Sequence, residues 1–213
     1  MLMPKMVLGQ QLVIARRQGP GRYTWTLPSL LGDMLQLAQE WFGERDHTWT
    51  ILGIEFCGDH PRVWCPGNRK DIVVQLGLRC MDEAQRAVYQ MAHECVHLIA
   101  PIGCANASVL EEGLATWFAQ YYMAERIGNP NWRSTLYSYT VAQEQAEKLL
   151  ALDKDAIKVL RGVIPQISHF TPELLMQHYP VLGEELAAHL TSLFNRELPP
   201  PTAEPMDAKR ENL

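Results

Sequence analysis

Residues 84–101 of the chain read AQRAVYQMAHECVHLIAP, and the elements on either side of this stretch are best understood from it. An apolar stripe recurs through the segment at the spacing expected of an amphipathic helix that packs on a core. Its members are Ala84, Val88, Met91, Ala92, Cys95, Val96 and Ile99. Asp82 and Gln85 resemble a capping box at the start of this helix, and Pro101 marks its end. We therefore predict one capped helix here.

The helix contains the motif H-E-x-x-H as His93-Glu94-Cys95-Val96-His97. Histidines four residues apart project from the same face of a helix, close enough for both imidazoles to reach one metal ion. A glutamate beside the first histidine is positioned to act as a general base on water at that metal. Cys95 lies about 200° around the helix from His93, so we expect it to face the core.

A third metal ligand is required, because hydrolytic zinc sites usually take three protein ligands and keep one position open. Glu111 and Glu112 are the nearest candidates, and they open a second predicted helix that begins near Ser108. Gly113 and Ala115 are small, and we expect them to let this helix approach the motif helix closely. The alternative is that the two carboxylates only interact favourably with the helix dipole.

The flanking segments indicate an α+β fold. Before the motif, the pattern predicts a helix over 30–42, a strand over 49–56, a loop over 58–70 and a strand over 71–78. After the second helix, helical patterns predominate, over 140–150, 153–164, 172–178 and 184–196. We predict a small mixed sheet over the motif helix, followed by a helical C-terminal half.

The domain organisation predicted from this order is a single domain over 1–198. Residues 1–122 supply the sheet and the two metal helices, and 123–198 form a helical subdomain. Residues 199–213 contain four prolines and few apolar side chains, so they cannot bury enough surface to order themselves. We expect this stretch to be a flexible tail.

Composition restricts the class of protein. The 213 residues carry a net charge of −5 with no basic patch, so we expect no nucleic-acid partner. No segment reaches the ~18 consecutive apolar residues of a membrane span, and residues 1–6 do not fit a signal peptide. Five cysteines without a C-x-x-C pair favour reduced, mostly buried thiols in a cytoplasmic protein. A Cys57–Cys65 disulfide or metal pair is the alternative.

The two motifs together resemble those of the gluzincin metallopeptidases, which follow H-E-x-x-H with a glutamate ligand on the next helix. Residues 112–115, EGLA, are similar to the glutamate–glycine–apolar–alanine segment of several gluzincins, including the aminopeptidase branch. Residues 112–119, EGLATWFA, are also similar to the E-x-x-A-N-x-F-A of small cytoplasmic metallopeptidases that cleave repressors, with Thr116 in place of the asparagine.

The resemblance implies a zincin-like fold with Zn²⁺ held by His93, His97 and Glu112, and with Glu94 as the general base. It also implies that the strand before the motif helix, 71–78, lies at the sheet edge and pairs with extended substrate. The alternative for this strand is a place in the core.

The resemblance further implies a donor for the oxyanion, located C-terminal to the second helix. The candidates are Tyr137, Tyr139, His169 and His178, and for each the alternative is a packing or surface role.

Three functions remain open from the sequence. The first is a zinc-dependent metallopeptidase that hydrolyses peptide bonds in a peptide or protein substrate. The second is a regulatory protease with a single protein target. The third is a zincin-like interaction module without catalysis.

Overall fold

The protein is described here from a computed structural model, which covers residues 12–67, 69–103 and 106–200. These residues form seven α-helices and two small sheets. A two-stranded antiparallel sheet comes first, with β1 at Arg17–Gly19 and β2 at Arg22–Tyr23. Helix α1 follows at Leu27–Phe42. It starts earlier than predicted because Thr26 acts as its N-cap, with the Thr26 N–H donating to Ser29 Oγ at 2.8 Å.

The main sheet has three strands in the order β3, β5, β4, where β3 is Thr50–Phe56, β4 is Arg62–Trp64 and β5 is Asp71–Leu76. Strand β5 is central, parallel to β3 and antiparallel to β4. The prediction that 71–78 forms the sheet edge is therefore wrong, and the core alternative is correct. The prediction of a loop throughout 58–70 is also wrong. A strand of three residues is too short to show a periodic pattern in sequence.

The motif helix α2 spans Ala84–His97 and is preceded by a 3₁₀ turn at Leu78–Met81. Its N-cap is Glu83, whose side chain makes no capping hydrogen bond. The predicted capping box of Asp82 and Gln85 is therefore wrong. The Gln85 side chain instead accepts a hydrogen bond from Asn129 Nδ2 at 2.8 Å, a contact with a distant part of the chain.

The second helix of the predicted site, α3, spans Val109–Tyr122, close to its predicted start. It packs against α2 and against α4, which spans Tyr137–Leu152. A Cβ on Gly113 would lie 2.2 Å from the carbonyl oxygen of Ala142 in α4. The prediction that Gly113 serves the approach of α3 to the motif helix is therefore wrong. This glycine allows close contact with α4 instead.

Three shorter helices complete the fold: α5 at Ala156–Arg161, α6 at Pro172–His178 and α7 at Glu184–Thr191. The prediction for α6 is confirmed, whereas α5 and α7 are shorter than predicted. The chain leaves α7 as an extended segment, residues 192–196, which we call the C-terminal strap. Val109 N–H donates to Ser192 O at 2.9 Å, and Phe194 N–H donates to Ala107 O at 3.0 Å. The strap is thereby fixed to the start of α3.

The core lies between the main sheet and helices α1, α2 and α3. The face of β5 that carries Ile72, Val74 and Leu76 is fully buried, and Cys95 is buried as expected. None of the helices in the described residues has the length and apolar character needed to cross a membrane. Residues 1–6 and most of the predicted flexible tail, 201–213, lie outside the described residues.

We predict that Gly113→Ala lowers stability, because the added methyl group meets the backbone of α4 and the helices must separate. Overpacking of this kind costs ~1–3 kcal/mol. Gly32→Ala in α1 is the matched control, because nothing lies within 4 Å of its Cβ position. It should raise the free energy of unfolding by about 0.5–1 kcal/mol through helix propensity. Denaturant unfolding of both variants measures the change in the free energy of unfolding. Equal changes in the two variants would contradict the proposed contact.

Candidate metal centre

Helix α2 presents His93 and His97 on one face, as the motif predicts. Their ring centroids lie 5.4 Å apart, and both side chains are largely buried. The opposite face of the helix carries the apolar stripe that packs on the core. Burial of one face therefore directs both imidazoles to the same side of α2, where a cleft opens.

The first turn of α3 brings two carboxylates against these histidines. Ser108 caps the helix, its Oγ accepting a hydrogen bond from Glu111 N–H at 3.2 Å. Glu112 Oε2 lies 3.0 Å from His93 Nε2, and Glu112 Oε1 lies 3.7 Å from His97 Nε2. One ligand atom from each of His93, His97 and Glu112 lies within 4.8 Å of the other two. No other group of this kind occurs in the part of the chain that the structure describes.

Glu111 contacts the site from the other side of His97. Its Oε1 lies 2.8 Å from His97 Nδ1, while its other carboxylate oxygen accepts a hydrogen bond from Ser168 Oγ. A carboxylate on Nδ1 fixes the tautomer of a histidine and leaves Nε2 available as a ligand. The two glutamates therefore occupy different positions: Glu112 faces the candidate metal, and Glu111 contacts Nδ1 of His97, a candidate ligand.

These residues fit a divalent metal ion with one open position. Two imidazole nitrogens and one carboxylate oxygen form one of the recurring donor sets of catalytic zinc sites. Without a metal, the paired charges compensate one another. Burial would lower the pKa of His97, but the Glu112 carboxylate and the hydrogen bond to Glu111 raise it to about 10. Burial raises the pKa of Glu112, but His97 and His93 together hold it below its usual value.

Glu94 is buried beside the donor group without belonging to it. Burial raises the pKa of its carboxyl group, and the nearby His97 and His93 oppose this shift. The carboxylate also accepts a hydrogen bond from the backbone N–H of Val63 in β4. Strand β4 thus orients Glu94 towards the cleft.

The cleft has a volume of about 400 Å³ and is lined by the His and Glu side chains together with residues from distant elements. Of the four candidate oxyanion donors, Tyr139 lines it, with its ring centroid 5.5 Å from that of His93. Tyr137, His169 and His178 are absent from its described lining. Burial and the Glu112 carboxylate raise the pKa of the Tyr139 hydroxyl, so it remains protonated at neutral pH.

Sequence reasoning missed several residues around the cleft. Arg62 and Val63 come from β4, Phe194 and Arg196 come from the C-terminal strap, and Ser168 supports Glu111. None of these residues belongs to a recognisable motif. Their location depends on long-range folding, so we found no sequence signal that identifies them.

The cysteines contribute no described metal cluster. Cys57 is an exposed free thiol, so the alternative of a Cys57–Cys65 disulfide is not supported. Cys80 and Cys95 are buried thiols, whereas Cys57 is exposed and Cys65 is intermediate, so the prediction of mostly buried cysteines holds for two of the four described. Cys104 lies outside the described residues.

Neither a family model, nor a curated protein, nor a solved structure matches this chain. Interpretation of the site therefore depends on the side-chain geometry above and on the H-E-x-x-H motif.

We predict that Glu111→Gln weakens binding of Zn²⁺ by about 10- to 100-fold, because a neutral amide supports His97 less well than a carboxylate. Glu112→Gln should cost more, since it removes a charged ligand. Competition with a chromophoric chelator measures both affinities, and Glu144→Gln on the exposed side of α4 is the control. A larger loss in Glu111→Gln than in Glu112→Gln would reverse the two assignments.

Proposed function

We propose that the protein is a zinc-dependent metallopeptidase of the gluzincin type, in which Glu94 is the general base. The observation that carries the proposal is the convergence of His93, His97 and Glu112 in one cleft, with Glu94 buried next to them. A donor set, an adjacent base and an open cleft are the three elements that metal-assisted hydrolysis requires.

The sheet supports a peptide as the substrate. Among the described strands, β4 lies at the edge of the main sheet, and Arg62 and Val63 line the cleft. An extended peptide is able to add to such an edge through main-chain hydrogen bonds. The edge role that the gluzincin resemblance gave to 71–78 therefore passes to β4 in this proposal.

The residues of the chain divide the chemistry between them. His93, His97 and Glu112 would hold zinc at this site, and the bound ion would supply Lewis acidity towards the attacking water and the scissile carbonyl group. Glu94 accepts the proton of the attacking water and delivers it to the leaving amine. Its buried position raises its pKa towards the operating pH, which makes it a more effective base and then acid. Tyr139, protonated and facing the same cleft, is the donor that we assign to the developing oxyanion.

Metal analysis of the purified protein tests the proposal first. We expect close to one equivalent of zinc, removed by a chelator and restored by added Zn²⁺. Less than about a tenth of an equivalent, unresponsive to added metal, would exclude a zinc hydrolase. Bound zinc without hydrolysis of any peptide would favour a non-catalytic interaction module instead.

Glu94→Gln should retain zinc and lose about 100- to 10,000-fold in kcat on peptide substrates, because the amide cannot accept the proton. Zinc content and turnover are measured on the same preparation. Normal turnover by this variant would refute the general-base role.

Tyr139→Phe should lower kcat by about 100-fold or more with little change in KM, since an oxyanion donor acts mainly in the transition state. Tyr137→Phe is the matched control, because Tyr137 begins the same helix but is partly exposed and outside the described cleft lining. Equal effects of the two substitutions on kcat would assign Tyr139 a packing role only.

A further inference from the structure

Arg196 places a guanidinium at the cleft from outside both motifs. The C-terminal strap that carries it is fixed at several points. Ser138 Oγ, which is buried, donates to the carbonyl oxygen of Arg196 at 2.8 Å, and Phe194 N–H donates to Ala107 O at 3.0 Å. The backbone beneath the guanidinium is therefore held in place before any ligand binds.

The guanidinium has two described contacts, and it also acts electrostatically on the Glu112 carboxylate. It donates to His60 Nδ1 at 2.9 Å, and its central carbon lies 6.0 Å from the centre of the Tyr139 ring. Both contacts orient the group without neutralising it. Among the described residues, the ion pairs of arginine and lysine involve Arg86, Arg126 and Lys158, and none involves Arg196.

The carboxylates of the cleft have closer partners than Arg196, which acts on Glu112 as a nearby charge and takes part in none of the described ion pairs. Glu112 faces His93 and His97, Glu111 contacts His97 and Ser168, and Glu94 accepts from the backbone of Val63. An arginine has five N–H donors in a planar fork that matches a carboxylate. Arg196 uses one donor contact on His60 and keeps further donors for a ligand in the cleft.

Arg62 is the other arginine in the described lining, and its contacts lead away from the His and Glu side chains of the cleft. Its Nε donates to Gln75 Oε1 at 2.5 Å, and Gln75 in turn donates to Glu55 Oε1 at 2.5 Å. This chain of polar contacts ties Arg62 to the main sheet. Arg196 instead lies over Tyr139, whose ring is next to His93, so we take its guanidinium as the cationic group nearest the candidate metal ligands.

We propose, building on the peptidase function above, that Arg196 is a specificity-determining residue that binds an anionic group of the substrate near the scissile bond. The group is a carboxylate, from an acidic side chain or from the C-terminus of the peptide. The substrate class is therefore anionic peptides, and the contact adds affinity through a charge-assisted, bidentate hydrogen bond.

The test uses one mixture of short synthetic peptides in three forms. The first form is neutral, with glutamine and a C-terminal amide; the second replaces glutamine by glutamate; the third keeps glutamine and has a free C-terminal acid. Mass spectrometry of competing cleavage by the zinc-loaded protein gives relative kcat/KM and the cleavage positions. We expect one anionic form to be preferred about tenfold or more over the neutral form, mainly through KM.

Variants identify the residue responsible. Arg196→Gln should reduce the preference to about one, whereas Arg196→Lys should retain part of it because the charge remains. Arg22→Gln, an exposed residue of β2 that changes net charge equally, is the control and should leave the ratio unchanged. A merely structural role of Arg196 would change the rates on all three forms alike. An unchanged preference in Arg196→Gln would overturn the proposal.

A binding measurement separates failure of this inference from failure of the peptidase function. Fluorescence anisotropy of the same peptides, labelled, is recorded with the zinc-loaded Glu94→Gln protein and with the Glu94→Gln/Arg196→Gln double variant. If peptides are cleaved or bound with no preference for the anionic forms, the role of Arg196 is overturned. If those peptides are also cleaved, the peptidase function still stands. Absence of cleavage, with Arg196-dependent binding of anionic peptides, overturns the peptidase function and supports anion recognition.

Discussion

The pairing of two largely buried glutamates in α3 with two largely buried histidines in α2 is the constraint on which the rest of the structure depends. Ionisable groups taken out of water are costly unless each one has a partner at close range. Here every member has one, because Glu112 spans both imidazoles and Glu111 binds the far side of His97. The relative position of the two helices must therefore be held closely, or the pairs are lost.

Several distant elements maintain that position. Gly113, next to Glu112, lets the backbone of α4 lie close against α3 at Ala142, so α4 packs on α3 directly beside the Glu112 carboxylate. Ser108 and Ser168 fix the first turn of α3 and the carboxylate of Glu111. The C-terminal strap pairs with the residues just before and at the start of α3. The helical C-terminal half thus supports the candidate metal centre mechanically as well as lining its cleft.

The sequence predicted the parts of the site that depend on local geometry. Spacing on one helix placed His93 and His97 together and Cys95 in the core, and composition placed the start of α3 correctly. Predictions that needed long-range knowledge were wrong: the edge strand, the capping box at Asp82, and the partner of Gly113. Arg196 was missed for the same reason, since only the path of the strap brings it to the cleft.

Glu111 and Glu112 show which part of the site could not be predicted from the sequence. Neighbouring residues of a helix point about 100° apart, so two adjacent carboxylates cannot occupy equivalent positions against a single opposing face. The sequence left open which one faces the donor group, because that depends on the rotation of α3 about its own axis. Gly113 against Ala142 and Ser108 beneath the first turn set this rotation in the structure. The packing of α3 on α4 at Gly113 therefore decides which carboxylate meets both histidines and which one contacts Nδ1 of His97.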